Sequence, residues 1–228
     1  MGKLIVHMFV TLDGVYQAPG EPDEDLDRGF QLGGWQAPYL DAESGQLMFD
    51  EMASLDALLL GRKTYAIFAN YWPNAPAEVP FTGLLNATQK YVASRTLQAA
   101  DWNPTTIIRR VPEDIARLKD EHHEVHVSGS GDLVHTLLRE ELVDRLNLWI
   151  YPVVLSSGKR LFDGGPRTNA WRLVTSTPFA TGVVHLGYEL AGAPVYGDTG
   201  LDAAGGDWPP KPSRAVLEKM KRPADPDA

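Results

Sequence analysis

Asp56-Ala-Leu-Leu-Leu-Gly-Arg-Lys-Thr-Tyr65 is the stretch on which the fold turns. Its apolar run shows no polar alternation, so Asp56 to Gly61 reads as a strand buried on both faces, the kind found in a parallel sheet covered by helices. The chain then passes through Gly61 into a short helix, Lys63 to Asn70, which Trp72-Pro73 stops. A second stretch, Val125-His-Val-Ser-Gly-Ser-Gly-Asp-Leu-Val134, repeats the construction. Each turn opens a helix whose unpaired N–H groups and positive dipole end point at whatever lies in the turn. Two such anion sites imply a ligand with more than one phosphate.

Strand and helix patterns alternate on either side of these junctions. Leu4 to Val10 is a strand ending in the turn Thr11-Leu-Asp-Gly14. Tyr16 to Tyr39, rich in Gly, Pro and acids, is a connection of the length used for lids and binding loops. Ser44, as N-cap, opens a helix reaching Ala53. Lys90 to Ser94, Thr105 to Arg109 and Glu124 to Ser128 read as strands, and Pro112 begins a helix running to about Glu121. Asp132 to Glu140 is helical, and Asp144 to Leu155 is a long strand interrupted at Pro152. Trp171 to Thr177 and Val183 to Leu190 flank Pro178-Phe-Ala-Thr-Gly182 as an antiparallel hairpin. The expected architecture is α/β: a mixed, mostly parallel central sheet with helices on both faces and a C-terminal antiparallel hairpin. Residues 1–192 make one domain. Residues 193–228, loaded with Gly, Pro, Asp and Lys, read as a flexible tail with a helical turn or two over Arg214 to Lys221.

Composition narrows the function. At 228 residues with 43% hydrophobic and 22% charged residues, the chain has enough apolar content for a real core. Its most apolar segment, Leu146 to Leu155, is too short to span a bilayer and contains Asn147 and Pro152. Zero cysteines exclude a disulfide framework, a thiolate nucleophile and a thiolate metal site. Met1-Gly-Lys-Leu-Ile-Val-His lacks a secretory pattern, so a cytoplasmic location is expected. A formal net charge of −9 opposes general binding to nucleic acid or an acidic membrane. A phosphate ligand therefore needs local cations.

The chain resembles the dihydrofolate reductase-like superfamily, in the branch containing the reductase domain of bacterial riboflavin biosynthesis (the RibD C-terminal type). The likeness is carried by Thr11-Leu-Asp-Gly-Val15, Asp56 to Tyr65, Tyr91-Val-Ala-Ser-Arg95, Val127-Ser-Gly-Ser-Gly131 and Val153-Val-Leu-Ser-Ser-Gly158, in order along Lys3 to Leu190. It implies a dihydrofolate reductase-like three-layer fold, an NADPH cofactor, a small-molecule substrate and a homodimer. The implied reaction is hydride transfer to a small heterocycle, like that of 5-amino-6-(5-phosphoribosylamino)uracil reductase. A pterin reductase, or a nucleotide-binding module without turnover, is the alternative. Two departures qualify it. The position aligned with the folate-binding carboxylate is Gly45, and without cysteine the zinc deaminase half of the bifunctional riboflavin enzymes is not expected here.

By this resemblance the cofactor would rest on Gly61, Arg62, Lys63 and Thr64, and on Ser128, Gly129, Ser130, Gly131, Asp132 and Leu133. Ser94 and Arg95 would take the adenosine 2′-phosphate, which favours NADPH over NADH. The plainer reading of the same residues is a pair of tight turns with solvent-facing cations. Asp13 would face the substrate, orienting a donor or, with a pKa raised by burial, relaying a proton; otherwise Asp13-Gly14 is simply a turn. Trp35 in the long loop would act as a lid residue, with Phe49 and Gly158 also on the substrate side. Lys159-Arg160 either meets an anionic substrate or is solvated. His122, His123 and His126 do not share a face, so no metal site is expected.

Overall fold

Leu4, Val6, Met8 and Val10 project from one side of β1 (Lys3–Thr11), and Ile5, His7 and Phe9 from the other. This alternation recurs across the sheet and builds two different faces in the computed structural model, which describes residues 1–163 and 167–197. The other strands are β2 (Ala57–Gly61), β3 (Gln89–Ala93), β4 (Thr105–Ile108), β5 (Glu124–Ser128), β6 (Arg145–Tyr151), β7 (Ala170–Pro178) and β8 (Val184–Gly192). They form an eight-stranded sheet ordered β4-β3-β2-β5-β1-β6-β8-β7. β4 through β6 in that order run parallel, whereas β8 pairs antiparallel with both β6 and β7.

The helices are α1 (Ala42–Met52), α2 (Arg62–Tyr71), α3 (Thr82–Ala87), α4 (Val111–Glu121) and α5 (Gly131–Arg139). Ile115 and Leu118 of α4 and Leu133, Val134 and Leu137 of α5 pack on Leu4, Val6, Val125 and Val127. Met52 of α1, Tyr65 of α2 and Leu85 of α3 pack on Leu58, Leu60 and Val92 across the sheet. β2 therefore has Leu59 in one layer and Leu58 and Leu60 in the other, all fully buried. That is why its sequence carries no polar alternation. Truncating any of the three to Ala costs about 2–5 kcal/mol.

The expected architecture is the observed one, with local corrections. The N-cap of α1 is Asp41, not Ser44: Asp41 Oδ1 accepts the Ser44 N–H at 2.7 Å, while Ser44 Oγ accepts the Asp41 N–H at 3.4 Å, a reciprocal capping box. β6 ends at Tyr151 rather than continuing to Leu155, because Pro152 has no N–H to give to a ladder. α3 was not anticipated from the sequence. Met1–Ala193 holds together as one unit. The tail read over residues 193–228, with its helical turn over 214–221, lies beyond residue 197 almost entirely outside the described residues. Among the described residues, no helix is long and apolar enough to cross a membrane.

Candidate functional site

β2 and β5 are sheet neighbours, yet α2 and α5, which follow them, leave toward opposite faces. Such a switch point opens a crevice at the carboxyl ends of the strands. Here it is a cleft of about 1880 Å³, lined by both strand-to-helix junctions. Neither helix has a side-chain N-cap, so the first-turn N–H groups of Arg62–Thr64 and of α5 are left for a ligand. Ser130 takes a left-handed backbone (φ 64°) just after Gly129 (φ 60°). That turn sets Ser130 Oγ to accept the Gly61 N–H at 2.8 Å. Gly129 lies against Thr64, whose Cγ2 is 3.8 Å from where a Cβ at 129 would sit. The sequence's two anion sites thus merge into one cradle. Asp132, in the first turn of α5, is its acidic member.

The cations divide into committed and open ones. Lys63 is ion-paired to Asp27, and Lys159 reaches Asp25 at 2.5 Å and Asp27 at 2.8 Å. Hydrogen bonds from Lys159 and Lys63 hold the Asp27 carboxyl down to about 2. Lys63 is therefore not the free phosphate cation expected; it fastens the loop over residues 25–27 to α2. Ser94 Oγ accepts the Thr96 and Leu97 N–H groups, and Arg109 donates to Ser94 O at 2.7 Å and Leu97 O at 2.6 Å. This bracing leaves Arg95 exposed on the cleft wall, which Arg110 and Arg62, at the start of α2, also line. Arg109-Arg110 was missed from the sequence, although a basic pair just past a strand end was legible there.

Three substrate-side expectations are corrected. Asp13 does not line the cleft. Its carboxylate accepts from Thr11 Oγ1 at 2.6 Å, the Leu155 and Ser156 N–H groups at 3.2 and 2.9 Å, and Arg160 Nη2 at 3.1 Å. Burial pushes this carboxyl up, but those four donors together outweigh it and hold it well below the usual carboxylate range. Asp13 is a clamp between the β1 exit and the loop after β6, not a proton relay. Trp35 is buried in the core, donating Nε1–H to Gln17 O at 2.8 Å and packing edge-on to Tyr151. It anchors the long loop instead of closing over a ligand. Gly158 (φ 113°) also lies off the cleft, where a Cβ would come within 2.8 Å of Val15 and 2.9 Å of Phe30. Phe49 does line the cleft, as does Gly45.

Beneath α1 the sheet carries a polar stripe that the sequence did not disclose. His7 Nε2 and His126 Nδ1 are 3.0 Å apart, and His126 Nε2 meets Glu124 Oε2 at 3.2 Å. Glu51, from α1, accepts from Asn147 Nδ2 at 2.7 Å and Arg145 Nη2 at 3.3 Å, with His185 Nε2 at 3.2 Å but poorly aligned for a hydrogen bond. One proton arrangement satisfies the chain: His126 Nε2–H donates to Glu124, and His7 Nε2–H donates to the bare Nδ1 of His126. Burial first, then His126, His185 and Arg145, holds His7 well below the ordinary imidazole value. Burial also outweighs Glu124 and keeps His126 low. His7 lines the cleft floor as a neutral ring. His122 is elsewhere, against the Tyr91 hydroxyl at 2.9 Å.

A switch-point crevice flanked by helix N-termini without side-chain caps defines a doubly wound α/β protein. The chain belongs to the RibD C-terminal domain family, whose model matches residues 2–185. It is 30% identical over 199 residues to Uncharacterized protein YyaP of Bacillus subtilis (strain 168), covering 83% of this chain and 96% of that one. Its fold is similar to the crystal structure of a Shewanella sp. PV-4 protein assigned provisionally to riboflavin biosynthesis: TM-score 0.60, 18% identity, 82% of this chain and 98% of that one. It is also similar to dihydrofolate reductase from Enterococcus faecalis complexed with NADP(H) and RAB-propyl: TM-score 0.55, 15% identity, 83% and 97% of the two chains. The fold is thus dihydrofolate reductase-like.

Proposed function

We propose that this chain is an NADPH-dependent reductase that transfers hydride to a small heterocyclic or carbonyl-like substrate. One observation carries the reading: the junctions at Gly61–Thr64 and Ser128–Leu133 form a single amide-lined cradle, tied by Ser130 to Gly61. A pyrophosphate suits such a cradle, because unpaired N–H groups and two helix dipoles converge where its charge would sit. Arg95, open on the same cleft, suits an adenosine 2′-phosphate. The family membership and the NADP(H)-bound neighbour support the same cofactor. When bound, the cofactor supplies the hydride, and the residues of this chain bind and orient it.

The test compares thermal shifts. NADPH is expected to raise Tm more than NADH does, and Arg95→Ala to erase that difference; equal shifts in the wild-type chain would count against it. A second reading, a nucleotide-binding module without turnover, is favoured by the locked Asp13, whose carboxylate is held by four donors and does not line the cleft. Binding without any oxidation of NADPH by pterins, pyrimidines or carbonyl compounds would select it.

A further inference from the structure

Away from the phosphate cradle, the cleft runs between α1 and α2, and this part is apolar. Leu40 and Phe49 are large apolar side chains left 56% and 40% exposed, and both line the cleft. Phe49 meets Phe81 with ring centroids 5.4 Å apart. An exposed apolar patch inside a concave site marks a surface that a ligand covers.

Charge is as informative as apolarity here. α1 and α3 contain no Lys or Arg, and α2 confines Arg62 and Lys63 to its first turn, at the phosphate end. The acids of α1 do not serve the slot either. Glu51 is bound between α1 and the sheet by Asn147 and Arg145, Asp50 accepts from Gln46, and neither these two nor Glu43 lines the cleft. Asp41, on the cleft wall, is held by the Ser44 N–H, and Glu24 by the Gly20 and Glu21 N–H groups. At the middle of the α1 wall stands Gly45, with nothing within 4 Å of where its Cβ would be. Among the described residues, a phosphate or carboxylate placed between α1 and α2 would find no cation there, and a cationic ring would find no α1 carboxylate on the cleft lining. Desolvating either without a partner is unfavourable.

We infer that the slot between α1 and α2 takes an uncharged, planar, unsaturated ring, such as a quinone, rather than a phosphorylated aminopyrimidine or a pterin carrying a carboxylate tail. This rests on the reductase reading for its chemistry, though not for its binding. In turnover the quinone takes one hydride (two electrons) from NADPH and one proton from water, leaving hydroquinone, NADP⁺ and hydroxide, which the buffer neutralises. Phe49 and Phe81 supply the ring contact, and the vacancy at Gly45 admits the ring edge.

Three measurements on the full chain test it: NADPH binding by calorimetry, 2-methyl-1,4-naphthoquinone binding by quenching of tryptophan fluorescence, and steady-state oxidation of NADPH. The naphthoquinone is expected to give a kcat/KM at least about ten-fold above dihydrofolate and a phosphoribosylated aminopyrimidine. Phe49→Ala should raise its KM about ten-fold with NADPH affinity unchanged. Gly45→Asp should place a carboxylate in the open space, tightening benzamidine binding about ten-fold while weakening the quinone. Normal NADPH binding with preference for either charged ring, with no naphthoquinone binding, or with no effect of Phe49→Ala, would overturn the inference. Phe49-dependent naphthoquinone binding without NADPH binding would support the slot while removing the reductase reading.

Discussion

The hydroxyl of Ser130 accepts the Gly61 backbone N–H at 2.8 Å, joining positions 69 residues apart. The bond fixes the two helix N-termini relative to each other before any ligand arrives, so the cradle is pre-organised rather than assembled on binding. In Ser130→Ala the part-buried Gly61 N–H loses its partner, at a cost of about 1–3 kcal/mol. For a domain of this size that lowers Tm by about 2–4 °C per kcal/mol. NADPH binding should weaken in the same variant. Thermal melts with and without NADPH check both; an unchanged Tm together with an unchanged ligand shift would refute the role.

Asp13→Asn should act on stability, not on the pH dependence of turnover. A carboxyl held below its ordinary value of 3.8 stabilises the fold fully above that pH and loses the contribution as pH falls from there through its lower folded value. Replacing it weakens the bonds to Ser156 and Arg160, about 2 kcal/mol in all. Between pH 5 and 8 the wild-type pH–rate profile should show no limb that Asp13→Asn removes. Urea melts and pH–rate profiles of both proteins decide this.

His7 and His126 act in the same direction at higher pH. Both are neutral bases in the folded chain, and in the unfolded chain they titrate near the ordinary 6.5. Below that pH the unfolded state binds more protons, so stability falls with pH by up to about 1.4 kcal/mol per unit for each histidine. His126→Gln should flatten the slope between pH 6.5 and 5 by about half. Denaturant midpoints across that range measure it, and an unaltered slope would remove the paired histidines from the account.

Gly158→Ala separates a structural glycine from a substrate contact. Its Cβ would enter space already held by Val15 and Phe30, on a backbone at φ 113° that alanine resists. The expected loss is about 1–3 kcal/mol. NADPH affinity measured well below Tm should be unchanged; a stable variant with altered binding would reverse the assignment.

What the sequence disclosed was local. Leu58-Leu-Leu60 announced a doubly covered strand, and Gly61 and Gly129-Ser-Gly131 announced strand-to-helix turns, because those readings need only neighbouring residues. The Asp41 cap was equally legible as Asp-x-x-Ser and was assigned three residues late. α3 escaped because it is six residues long and starts from Phe81 in a left-handed conformation, a start without a sequence signature. The misassigned roles depend on distant partners. Arg160, Leu155 and Ser156 make Asp13 a clamp across more than 140 positions, and His126 meets His7 across 119. No spacing rule reports such encounters, since register between non-adjacent segments decides them.

Calorimetric titration of the wild-type chain and Arg95→Ala with NADPH and NADH separates a cofactor cradle from a pair of bare turns. Saturable heat is expected with NADPH, binding weaker by about 10- to 100-fold with NADH, as for one lost charge-assisted contact, and near-equal affinities in Arg95→Ala. No saturation with NADPH, or equal affinities for the two cofactors in the wild-type chain, would contradict it.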